Sequence, residues 1–270
     1  MHPEVIITLA STALALLSAI VAGVMANRSA RQTHELERQR RRETQAEAAE
    51  RIEQQYRDPL LDAANTLQGR LYNIVAQDYL GRYLHCGDPD EERYARNYTV
   101  YAVGEYLCWV EIVRRELRFL DLGDNKRNRK LLGHLSQLQY AFQTERLLSP
   151  LKLFRGRQRA IAELMMVPTN ASEGPRTECM GYAAFERRLE SDPEFAAWFA
   201  GLSADIDVVA RSSAVENIRL FQVQRELIDL IDFLDPDSVR IPANLRARLP
   251  EPQPDHVPHS RQAPLPTTRV

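Results

Sequence analysis

Glycine is scarce in this chain, with 11 among 270 residues, and no stretch of useful length alternates apolar with polar residues. Those two lacks argue against a turn-rich β fold and leave helices as the expected secondary structure. Cysteine is rarer still: Cys86, Cys108 and Cys179 are odd in number, far apart in the chain and form no CxxC. That is poor material for a disulfide framework or a zinc site, and it suits a reducing compartment in which all three are small buried apolar side chains. The six histidines include no HExxH, and GxSxG, P-loop and dinucleotide signatures are missing too. No catalytic residue, metal ligand or cofactor is therefore expected. A net charge of -2 supplies no global attraction to nucleic acid, so no nucleic-acid partner is expected either.

What the chain does contain starts with one long apolar run. Val5 to Ala26 carries no charge and no proline. As a helix it would be about 33 Å long, enough for a hydrocarbon core of roughly 30 Å. A cleaved signal peptide fits less well, because MHPE holds no Lys or Arg and the run exceeds the usual apolar core. Arg28, Arg31, Arg38, Arg40, Arg41 and Arg42 follow the run and no basic side chain precedes it. The expectation is a single-pass anchor at 5–26 in the cell membrane, with the amino terminus outside and the bulk of the chain cytoplasmic.

Residues 27–56 are rich in Arg, Glu, Gln and Ala without Gly or Pro, and predict a polar helical stalk. Leu36 and Ile52 alone cannot fill a coiled-coil seam, so a lone solvated helix or at most a weak homo-oligomer contact is expected. Residues 57–236 predict an antiparallel helical bundle, giving an all-α chain overall. Asp58-Pro59, Asp88-Pro89 and Asp192-Pro193 read as helix starts. Leu60, Leu61, Ala64, Leu67, Leu71 and Ile74 make one apolar face, and Leu131, Leu132, Leu135, Leu138 and Phe142 another. The segment 167–180, with two prolines and a glycine, reads as a loop, and one long helix is expected from about Ala204 to Leu234. From 237 to 270 the chain is proline-rich and expected to be largely disordered.

Three constellations carry candidate chemistry. Tyr94, Tyr98 and Tyr101 share a helical face, either as an aromatic pocket for a cation or, in the ordinary case, as core. Lys126, Arg127, Arg129 and Lys130 form one basic cluster, a candidate contact for phosphate or a lipid headgroup, with solvated surface as the simpler account. Arg155, Arg157 and Arg159 form a second. Glu226, Asp229 and Asp232 follow each other at intervals of three on the last helix, and buried against the Arg155–Arg159 segment they would form a charged ligand or partner patch, with an exposed face as the ordinary reading.

Several stretches resemble an uncharacterised bacterial, actinobacterial-type family of membrane-anchored helical proteins. They are Tyr56 to Leu61, Leu67 to Ile74, Trp109 to Asp124, Arg155 to Glu163 and Cys179 to Phe185. The resemblance covers roughly 56–236 and implies domain limits without an activity. The expected function is a membrane-tethered helical interaction or regulatory module, bound to the bilayer through 5–26 and to an unknown protein partner. An anchored enzyme or ligand sensor is the alternative, and anionic-lipid binding a third.

Overall fold

The computed structural model describes Arg40 and residues 55–117, 125–171, 174–213 and 216–250. The expected span at 5–26, most of the stalk at 27–56 and the tail beyond 250 lie outside these residues. Among the described residues no helix is long and apolar enough to cross a membrane.

The described part is a helical bundle with one small hairpin. Helix α1 is formed by residues 55–77 and buries Leu60, Leu61, Ala64, Leu67, Leu71 and Ile74, the face expected from helical spacing. It is already helical at residue 55, so Asp58-Pro59 does not open it. Asp58 ion-pairs with Arg57 and Arg240 instead. A short α2 (Tyr79–Tyr83) leads to α3 (Pro89–Leu117). Here Asp88 acts as the cap: its Oδ1 accepts from the backbone N–H of Asp90 and Glu91 at 2.9 and 3.3 Å. Helix α3 is central, burying Val100, Ala102, Val103, Tyr106, Leu107, Cys108, Ile112 and Val113 against several neighbours.

Helix α4 (Asn125–Gln143) packs on α8 (Ile218–Leu234), while α5 (Arg155–Met165) packs on α3. Leu135, Leu138 and Phe142 of α4 point inward as expected, but Leu132 is 41 % exposed. The segment read as a loop is an antiparallel hairpin, β1 (Met166–Ala171) with β2 (Gly174–Cys179), pairing Met166 with Cys179 and Ala171 with Gly174. Its prolines, Pro168 and Pro175, are tolerated because each strand of a two-stranded ladder is an edge, where a missing N–H can face outward. The chain is thus mainly helical, and the expectation of no sheet fails at this one place.

Helix α6 (Tyr182–Ser191) is followed by α7 (Pro193–Val209), with Asp192 between them accepting from Phe195 N at 3.0 Å. The expected long helix to Leu234 is in fact two, α7 and α8, separated at 210–217. Serine chemistry breaks it: Ser212 Oγ donates to Val208 O at 2.7 Å, and Glu216 accepts from the backbone and hydroxyl of Ser213 at 2.7 and 2.8 Å. Ile218 is 37 % exposed, whereas Arg219 beside it is fully buried.

That arginine is the main polar staple of the fold. Its guanidinium donates to the carbonyl oxygens of Ala141, Phe142, Thr144 and Leu147 at 2.6, 3.1, 2.9 and 2.8 Å, and Nε reaches Pro150 O at 3.2 Å. One side chain thus supplies donors to carbonyls at the end of α4 and just beyond it, with Leu153 N also donating to Phe142 O at 3.0 Å. Packing also continues past residue 236. Ile241 and Leu249 are buried, Gln224 donates to Ala247 O at 2.8 Å and accepts from Leu249 N at 3.1 Å, and Gln68 donates to Leu245 O at 3.0 Å.

Candidate functional site

Because α3 pairs with α5 and α4 pairs with α8, a cleft remains where α4 faces the α3–α5 pair. Its volume is about 260 Å³, at the small end of ligand sites. Helix α3 contributes Tyr106, Leu107, Val110, Glu111 and Arg114. Leu132, Leu135, Ser136, Gln139 and Phe142 come from α4, and Arg155, Gln158, Arg159 and Ala162 from α5. The α5 residues fall at helical spacings of three and four, so one face of that helix is turned to the cleft. Gln158 ties the floor together, its Nε2 donating to Gln139 O at 3.1 Å and to Leu153 O at 2.7 Å.

The cleft wall is strongly cationic. Glu111, nearly buried, faces Arg115 at 3.2 Å, Arg159 at 3.5 Å and Arg114 at 3.8 Å. Glu163 joins the same network through Arg115 at 2.7 Å and Arg159 at 3.2 Å. Arg155 has no carboxylate partner among the described residues. Four guanidiniums therefore meet two carboxylates. Arg155 and Arg159 are exposed, while Glu111 is buried.

Tyr106 adds a buried polar atom to the lining. It is 2 % exposed, and its hydroxyl has no hydrogen-bond partner among the described residues. Burial, and then the charge of Glu226 on α8, push that phenol well above the usual tyrosine range, so it stays an O–H donor. A buried hydroxyl left unmatched is costly unless a ligand or water completes it.

The pairing suggested by sequence, the Arg155–Arg159 segment against Glu226, Asp229 and Asp232, is not made. Arg159 pairs with Glu111 and Glu163. Arg157 turns the other way, donating to Trp198 O at 3.0 Å, and its guanidinium fills the space where a Cβ on Gly201 would sit. The acids of α8 are met by the segment after it: Arg248 holds Asp229 at 2.6 Å and Asp232 at 3.2 Å, while Arg246 reaches Asp232 at 3.0 Å and Asp235 at 2.6 Å. Glu226 is partly buried, and burial followed by the Asp229 charge raises its carboxyl above the usual range. Lys126, Arg127, Arg129 and Lys130 lie exposed at the start of α4, outside the cleft lining.

The tyrosine face is occupied by the protein itself. The guanidinium carbon of Arg70, from α1, sits 4.5 Å from the ring centre of Tyr79, 5.6 Å from Tyr94 and 4.6 Å from Tyr98. Tyr101 belongs to the core, its single hydroxyl proton shared between Met180 O and Glu105 Oε1, each 3.1 Å away. Cys108 and Cys179, far apart in sequence, are brought together where β2 meets α3. Hydrogen bonding to Cys108 and then burial raise the Cys179 thiol far above the ordinary range, while Cys86 is exposed. Sequence reasoning missed Glu111, Arg114 and Tyr106, whose only signal was a polar residue interrupting an otherwise apolar central helix.

No family model matches the chain, and no curated protein or solved structure matches it either, so the site is read from its own geometry.

Proposed function

We propose that this chain is a helical regulatory module that binds a small anion in the cleft between α3, α4 and α5. The span expected at 5–26 would hold that module at the inner face of the membrane, where a protein partner reads the bound state. The observation that carries the proposal is the charge imbalance of the cleft: Arg114, Arg115 and Arg159 pair with Glu111 and Glu163, and Arg155, in the same lining, has no carboxylate partner among the described residues. Both oxygens of Glu111 face guanidiniums, so the arrangement supports holding a ligand more than transferring a group.

Thermal unfolding of the full chain in mild detergent, run against phosphate-, sulfate- and carboxylate-bearing small molecules, tests this. An anion at about 100-fold excess over its Kd should raise Tm by roughly 5–10 °C. The shift should shrink with added salt and largely vanish in Arg155→Gln. No shift with any anion, or an equal shift in the variant, removes the proposal.

A further inference from the structure

Granted that the cleft is an anion site, its chemistry narrows the anion. We infer that it takes a phosphomonoester carrying a small apolar body. Three observations point there, and the first is charge. The network of Arg114, Arg115 and Arg159 with Glu111 and Glu163 carries one positive charge in excess, and Arg155, which lines the same cleft, adds a second. A phosphomonoester carries close to two negative charges at neutral pH, whereas a carboxylate or a sulfate ester carries one. The second is the donor set. Arg155 offers a whole fork, and Tyr106, which also lines the cleft, carries a buried hydroxyl with no hydrogen-bond partner among the described residues. A phosphoryl group has three terminal oxygens to accept from such separated donors, and a carboxylate only two. The third is the apolar part of the lining, where Val110, Leu132 and Leu135 face the cleft with hydrocarbon. Inorganic phosphate would leave that surface wet, and an apolar substituent would cover it.

Calorimetric titration of the full chain in phosphatidylcholine nanodiscs decides the point, with phenyl phosphate, phenyl sulfate and inorganic phosphate as probes. Phenyl phosphate should bind at least about tenfold tighter than either of the other two. Arg155→Gln should weaken phenyl phosphate more than phenyl sulfate. Tyr106→Phe, which removes one oxygen and keeps the ring, should weaken phenyl phosphate by about fivefold or more. Equal binding of the phenyl sulfate ends the phosphomonoester assignment while leaving the anion site standing. Binding of none of the three ends both.

The same chemistry could reach the cleft as a soluble metabolite or as a lipid headgroup. Repeating the titration in nanodiscs doped with phosphatidic acid separates them. Abolished phenyl phosphate binding there assigns the site to the lipid phosphomonoester, and unchanged binding assigns it to a soluble one.

Discussion

Arg246 holds Asp235 at 2.6 Å with both side chains 7 % exposed, and this pair ends α8 and turns the chain back across it. Asp235 also accepts from the backbone N–H of Val239, Arg240 and Ile241 at 3.0, 3.1 and 2.9 Å. Burial alone would raise its carboxyl, but those donors and Arg246 outweigh it and hold the group below the usual aspartate range. The contribution is therefore complete above the unfolded-state value, near 4, and is lost as pH falls through the lower folded value. Asp235→Asn should cost roughly 3 kcal/mol at pH 7. Urea unfolding at several pH values should show the gap between the two proteins constant above about pH 5 and closing below about pH 4. A gap that does not change with pH would show that the carboxylate charge is not what matters.

Arg219 makes a second test. Lysine in its place keeps the charge but cannot supply a planar fork to the carbonyls of Ala141, Phe142, Thr144 and Leu147 together. Arg219→Lys should lower stability by about 3 kcal/mol or more, read from the urea midpoint. A loss under about 1 kcal/mol would mean that water satisfies those carbonyls as well as the guanidinium does.

Thiol accessibility is a third. Cys86 is exposed, Cys108 is buried, and the Cys179 thiol is held protonated by its neighbour and by burial. Iodoacetamide at about pH 8, near the intrinsic thiol value, should add one label per folded chain, at Cys86, and three after denaturation. Rapid native labelling of Cys179 would contradict the packing of β2 on α3.

A fourth concerns Arg157. Gly201 leaves room for the guanidinium that donates to Trp198 O. Gly201→Ala would place a methyl where Arg157 Nη2 stands, so the arginine must swing out. Helix propensity favours alanine by about 1 kcal/mol, and the lost packing opposes it. Tm should accordingly change by only a few degrees, while the fluorescence of the half-exposed Trp198 shifts. An unchanged spectrum would show that Arg157 does not sit there in solution.

The helical faces were legible in the sequence because burial repeats at 3.6 residues. The α1 row from Leu60 to Ile74 followed from that period, and the Asp88 and Asp192 caps from their Asp-Pro pairs. The hairpin was not legible, since Pro168 and Pro175 carry a turn signal that only an isolated two-stranded ladder overrides. The break after Val209 was hidden because no glycine or proline marks it. The candidate cleft was legible by half. Arg155 and Arg159 stood out as charge, but which carboxylates they meet depends on helix pairing. That pairing put Glu111 and Glu163, not Glu226 or Asp232, within their reach.

Hydrogen exchange of the full chain, with and without saturating phenyl phosphate, tests the central claim most directly. Binding in the cleft predicts added protection confined to segments around 106–115, 132–142 and 155–162. Protection centred on 126–130 or on 226–248 instead, with those three segments unchanged, would place the anion elsewhere and contradict the account.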